Sequence, residues 1–389
     1  MFSLSLNFGI PQPNVGSVYV RLNKGDFVPG EQVSGTILLD LYSNFNSNII
    51  WLAVAGVEQT KLVEERQVSG DGNRTELIDH NDQNFFFSHK IPVYRFPQEF
   101  IPSGQYSFPF SFLLNSDLPS TFDYKFSKKD KECFAKVSYE IRASLESTSN
   151  SAPAISYTCP FVVNQKMVLN DQSQRKEINQ SVSSCCCIDK GQSKIVSYFE
   201  KSEYIPGEVA YLVTEVDNSN GKAKINTIDA IFQQHLVLKA GKYEENIHED
   251  LNTMSEPGVG IGEQKVGDNA RRLAVALTTK KKTSPIQPTC RGKLIMNEYY
   301  LKNQLNVDAC ICCGDNPNCK LQLNVRNPTI NYMPWGAQPQ VWRPQEFANF
   351  NVQFSNDFRL DTGGFMGQPS AIQANYNAVA TPIMPPPPS

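Results

Sequence analysis

Most of the ten cysteines fall in two clusters: Cys185, Cys186 and Cys187 stand together, and Cys310, Cys312, Cys313 and Cys319 lie within the run CICCGDNPNC. Thiolates at tetrahedral distances hold zinc. Gly314, Asp315, Asn316 and Pro317 have turn chemistry that would fold Cys319 back toward Cys312. A structural zinc shared by the two clusters would tie the linker ahead of Cys185 to the second half of the chain. Plain reduced thiols and S-acylation of Cys185–Cys187 fit the same spacing, which leaves all three readings open.

A second constellation is basic. Arg271 and Arg272, with Lys280, Lys281 and Lys282 a few residues on, are candidates for an anionic lipid surface or a phosphorylated tail. Lys125, Lys128, Lys129 and Lys131 are interrupted by Asp130 and bordered by Glu132, the pattern of a solvated loop. The four prolines Pro385 to Pro388 form a short polyproline segment that WW, SH3 or profilin-type surfaces bind. None of the four histidines, His80, His89, His235 and His248, stands in a recognisable pattern with a Ser or Cys nucleophile. GVGIG at Gly258 to Gly262 has no strand-to-helix context and reads as a loop, not a dinucleotide site. The expectation is a protein without catalysis. A net charge of −3 supplies no basic field for nucleic acid. No apolar run is long enough to cross a bilayer as a helix, and the N-terminus lacks the pattern of a secretion signal. Reduced thiols are therefore expected in place of a disulfide frame.

The elements that must position these groups read as strands. FSLSLNFGI alternates, with Phe2, Leu4, Leu6, Phe8 and Ile10 on one face. Val18, Val20 and Leu22, then Val33, Ile37, Leu39 and Leu41, continue the period of two, and no helical stripe interrupts it. The stretch GSVYVRLNKGDFVPGE, ending at Glu31, is repeated as SKIVSYFEKSEYIPGE, ending at Glu208. Pro29-Gly30-Glu31 matches Pro206-Gly207-Glu208, Phe27 matches Tyr204 and Lys24 matches Lys201. Proline pre-sets the first turn position and glycine accepts positive φ at the second. A strand-turn-strand unit written twice implies two copies of one antiparallel sandwich. This sets the boundaries: a first sandwich over residues 1–170, a linker at 171–184, a second sandwich at 185–328, and a disordered Pro/Asn/Gln-rich tail at 329–389.

Several stretches resemble the arrestin family in its arrestin-domain-containing (α-arrestin-like) form. In the first copy these are FVPGEQVSGTILL, IPSGQYSFPFSFLLNSDLPSTF, VSYEIRASLE and FVVNQKMVLN; in the second, EYIPGE, RRLAVAL, PTCRGKLIMNEYYL and KLQLNV. The resemblance implies two tandem immunoglobulin-like β-sandwiches packed end to end. It implies a non-enzymatic adaptor that binds cytoplasmic tails of membrane proteins and couples them to endocytic or endosomal transport. Such an adaptor is cytoplasmic and peripheral at the plasma membrane or endosomes. A fixed structural subunit of a retromer-like sorting coat is the alternative. The chain carries no PPxY motif, so ubiquitin-ligase recruitment is not carried over.

Overall fold

The computed structural model describes residues 15–68, 75–147, 154–166, 175–184, 188–279, 286–309, 316–329 and 342–352. The alternation expected for Phe2 to Ile10 lies outside them. The first half forms β1 (Gly16–Leu22), β2 (Asp26–Phe27), β3 (Gln32–Leu41), β4 (Ile49–Gln67), β5 (Thr75–Arg95), β6 (Gly104–Leu113), β7 (Phe122–Lys128), β8 (Lys131–Leu145) and β9 (Ile155–Val163). The second forms β10 (Arg175–Ser184), β11 (Ile188–Phe199), β12 (Glu203–Tyr204), β13 (Val209–Asp217), β14 (Ile225–Ala240), β15 (Tyr243–Pro257), β16 (Gln264–Lys265), β17 (Arg271–Ala276), β18 (Cys290–Arg291), β19 (Ile295–Val307) and β20 (Asn318–Val325). Two short strands come last, β21 (Gln345–Glu346) and β22 (Phe350–Val352). Among the described residues no helix is long and apolar enough to cross a membrane.

The duplication seen in the sequence is a duplication of topology. One sheet of the first sandwich runs β1-β3-β6 and the other β2-β9-β8-β4-β5. In the second sandwich the equivalent strands run β11-β13-β17 and β12-β20-β19-β14-β15. Even the short parallel pair recurs: Phe27 sits beside Val163 and Tyr204 beside Val325. The aromatic ahead of each turn is the anchor, and both Phe27 and Tyr204 are buried.

The turns themselves are copies. Gly30 has φ 81° and Gly207 φ 87°, the left-handed conformation that this turn demands of its third residue. Val28 N–H donates to Glu31 Oε2 at 3.0 Å, and Ile205 N–H donates to Glu208 Oε2 at 3.0 Å. Each glutamate also takes its lysine: Lys24 bonds Glu31, and Lys201 bonds Glu208 at 2.9 Å. The same two ammonium groups lie over the anchor rings, 5.0 Å from Phe27 and 4.8 Å from Tyr204.

Two boundaries differ from the expectation. Residues 175–184, expected as part of a linker, are a strand: β10 pairs antiparallel with β11, from Arg175 opposite Tyr198 to Ser184 opposite Ile188. An outer strand bonds through its backbone and buries few side chains here, so RKEINQSVSS folds despite its polar composition. Part of the segment expected to be a disordered tail is also ordered. β21 and β22 extend the first sandwich by pairing parallel to β6.

Candidate functional site

β6 is the edge strand of its sheet apart from this C-terminal segment. Gln345 and Glu346 lie beside Tyr106 and Ser107, and Phe350 to Val352 beside Phe110 to Phe112. Phe347 N–H donates to Ser107 O at 3.0 Å, and Arg343 N–H to Gln105 Oε1 at 2.9 Å. Between the two short strands, Phe347 enters an aromatic cluster. Its ring stacks on Phe108 at 4.4 Å, with Tyr94 at 4.5 Å and Tyr106 and Phe96 farther out. Val352 closes the far end and is buried. The arrangement combines main-chain pairing with apolar anchoring, the two requirements of strand-addition recognition.

The second feature is the seam between the sandwiches. The β14–β15 hairpin tip and the turn ahead of β19 lie against the long β4–β5 hairpin. Thr60 Oγ1 donates to Lys239 O at 2.5 Å, Gly241 N–H to Asp82 Oδ2 at 2.9 Å, and His80 stacks on Tyr243 with ring centroids 5.2 Å apart. Asn327 closes the other side, its N–H reaching Asn164 Oδ1 at 2.8 Å and its Nδ2 reaching Thr121 O at 3.0 Å. At the centre, Glu58 has 0% exposure. Its carboxylate accepts the backbone N–H groups of Lys293 (3.1 Å), Leu294 (2.9 Å) and Ile295 (2.8 Å). Burial raises the Glu58 pKa, and the three amides only partly offset it. Leu236, Leu238, Leu294 and Ile295 of the second half belong to the core of the first, so the seam is apolar around this polar centre.

The sequence-derived candidates separate. Pro29, Gly30, Glu31, Pro206, Gly207 and Glu208 form the paired turns described above. Cys185, Cys186, Cys187, Cys310, Cys312 and Cys313 lie outside the described residues. A residue flanking each stretch bonds the segment 222–224: Lys222 N–H donates to Lys190 O at 2.8 Å and Asp308 N–H donates to Lys224 O at 2.7 Å. Cys319 departs from the expectation. It sits on β20 with its thiol inside the sandwich, 3.3 Å from Ser197 Oγ, beside the fully buried Asn303 and Thr214. Strand pairing places its side chain toward the core instead of folding it back toward Cys312. A zinc proposal therefore rests on the other six cysteines. Among the described residues no group of three or more His, Cys, Asp or Glu is placed to hold a metal.

The basic candidates also change. Arg271 and Arg272 are on β17 and not in a loop. Arg272 forks onto Glu200 (2.5 and 2.7 Å) and lies 3.6 Å from the Tyr211 ring, so its charge is spent locally. Lys280, Lys281, Lys282 and the segment Pro385–Pro388 lie outside the described residues. Of the first basic run, Lys128 bonds Glu245 at 2.6 Å and Lys131 bonds Asp79 at 2.9 Å.

Each half of the chain matches a known domain family. The family description "Arrestin (or S-antigen), N-terminal domain" matches residues 17–170, and "Arrestin (or S-antigen), C-terminal domain" matches residues 189–329. The chain belongs to the arrestin family, as an arrestin-domain-containing protein with two tandem β-sandwiches. It is 26% identical over 328 residues to Arrestin domain-containing protein A of Dictyostelium discoideum, covering 83% of this chain and 53% of that protein. It is 23% identical over 222 residues to human Arrestin domain-containing protein 5 (53% and 58%). Against human Arrestin domain-containing protein 1 it is 24% identical over 251 residues (63% and 51%). The chain spans about half the length of the curated relatives it matches. Family membership supports an arrestin-like adaptor role in general terms.

Proposed function

We propose that this chain is a non-enzymatic adaptor that binds extended segments of membrane-protein cytoplasmic tails at the β6 edge and couples them to endocytic or endosomal transport. The proposed location is the cytoplasmic side of the plasma membrane or endosomes. The single observation carrying this reading is the edge itself: β6 accepts a strand along its length and seats an aromatic side chain between Tyr94 and Phe108. A cargo tail bound there would bring backbone amides for β6 and an aromatic or aliphatic anchor for the ring cluster. Anionic lipid near Lys280, Lys281 and Lys282 is proposed as a supporting contact.

The test uses a fluorescent peptide of residues 342–352 added to the chain carrying Phe347→Ala. Binding of that peptide, and its displacement by synthetic cytoplasmic-tail peptides, is the expected result. Tail peptides that bind the chain without displacing the probe would overturn the assignment of the edge. A panel in which no tail binds would overturn the adaptor reading.

A further inference from the structure

The outer face of the second sandwich carries a pair of histidines that neither the fold nor the seam uses. His235 on β14 is directly opposite His248 on β15. Their rings are face to face, with centroids 4.1 Å apart and planes 13° from parallel. His248 is exposed and His235 half-buried. Among the described residues neither imidazole has a hydrogen-bond partner, in contrast to His80, which bonds Glu64 Oε2 at 2.8 Å. The pair borders an open groove of about 380 Å³, shared with Asp250, Tyr300 and Lys320.

The polar neighbours of the pair are held by partners of their own. Glu298 is next to His235 on β19, and its oxygens are held by Arg291 Nε at 2.6 Å and Tyr300 OH at 2.5 Å. Asp250 lies two positions beyond His248 along β15 and accepts Gln233 Nε2 at 2.8 Å. Lys320 is drawn over the Tyr300 ring at 4.0 Å.

We propose that His235 and His248 form a two-imidazole binding site for a divalent transition-metal ion of the zinc and nickel class. Neutral imidazole suits these ions, whereas calcium and magnesium require oxygen ligands. Metal–nitrogen bonds lie in the ring planes and at about 2.1 Å need the two nitrogens roughly 3 Å apart, so both side chains turn out of the stack to converge on the ion, a movement open to the exposed His248 and the half-buried His235. No third His, Cys, Asp or Glu completes a protein ligand set among the described residues. Water fills the remaining positions, and the ion is exchangeable, not structural.

The experiment is a nickel chloride titration of the tag-free full chain, read from the ring-proton NMR lines of its four histidines. His235 and His248 broaden together at or below one equivalent, while His80 and His89 stay sharp. Thiol-bound nickel would broaden neither ring, which separates this site from the cysteine clusters. His248→Gln, at an exposed position, shifts the His235 midpoint at least tenfold, and His235→Gln acts reciprocally on His248. Parallel broadening of all four histidines, no broadening, or a His235 midpoint unmoved by His248→Gln would overturn the assignment.

Discussion

Gly292 lies against the Glu58 carboxylate so closely that a methyl group at position 292 would fall 2.0 Å from Glu58 Oε1. The approach lets three consecutive amides of one sandwich converge on a single carboxylate of the other. Gly292→Ala is expected to cost about 1–3 kcal/mol by forcing that seam apart. Glu58→Gln is expected to cost a similar 1–3 kcal/mol, because its amide donor faces amide donors. Urea denaturation of each variant against wild type measures both.

Glu58 also sets a direction for pH. Its native pKa lies above the ordinary value of 4.5 because burial penalises the charge. The folded state therefore holds the proton more tightly than the unfolded chain. Its contribution is fully present below 4.5 and is lost as pH rises through the native value. Wild type is expected to gain stability relative to Glu58→Gln as pH falls from neutral toward 4.5. Tyr139, Cys290 and Asn84 face the carboxylate, and Cys290 and Tyr139 remain neutral throughout this range. A stability difference that is flat with pH would contradict the assignment.

The paired turns titrate in the opposite sense. At Glu208 the bond to Lys201, then the Ile205 amide, lowers the pKa. At Glu31 burial pushes upward, but Lys24 and the Val28 amide outweigh it. The stabilisation from both is present above 4.5 and is lost as pH falls through their native values. Glu31→Gln and Glu208→Gln should each cost about 1 kcal/mol or less, since both turns are solvent-accessible. Lying in separate sandwiches, the two changes should add in the double variant. Thermal unfolding of the four chains at pH 7 and pH 3.5 checks the sum and its sign.

Phe347→Ala should release the strand that covers β6. The ring is half-buried against Phe108 and Tyr94. Its loss should weaken docking by about 1–2 kcal/mol. Amide hydrogen exchange along Tyr106–Phe112 should then accelerate roughly tenfold, with the β3 side of the sheet unchanged.

Cys319 should be inert in the folded protein. Burial raises its thiol pKa, and the Ser197 hydroxyl offsets only part of that. Labelling with a thiol reagent under native conditions, then peptide mapping, should modify Cys319 only after denaturant is added. Rapid native labelling would place that side chain outside the core.

The repeated Pro-Gly-Glu unit made two sandwiches legible because turn chemistry is local: positive φ at Gly30 and Gly207 is written in the residues themselves. The Lys24–Glu31 and Lys201–Glu208 contacts share that locality. β10 was not legible, since an outer strand needs backbone partners and little apolar surface, and only Val182 and Ser184 of its residues are buried. The docked segment was hidden for a related reason. Phe347 and Val352 gain meaning only from β6, more than 200 positions earlier. Glu58 did leave a trace. It occupies the inward register of β4 together with Leu52, Val54, Thr60 and Leu62, and a charge at such a position announces a buried partner. Naming residues 293–295 as that partner required the packing of the two halves.

The strand beside β6 belongs to the same polypeptide, so it meets its groove as an intramolecular competitor. A tethered segment acts at an effective concentration in the millimolar range for short flexible linkers. On the proposed reading, a cargo tail would have to outcompete this internal standard, and weaker incidental strands would be filtered out without a dedicated gate.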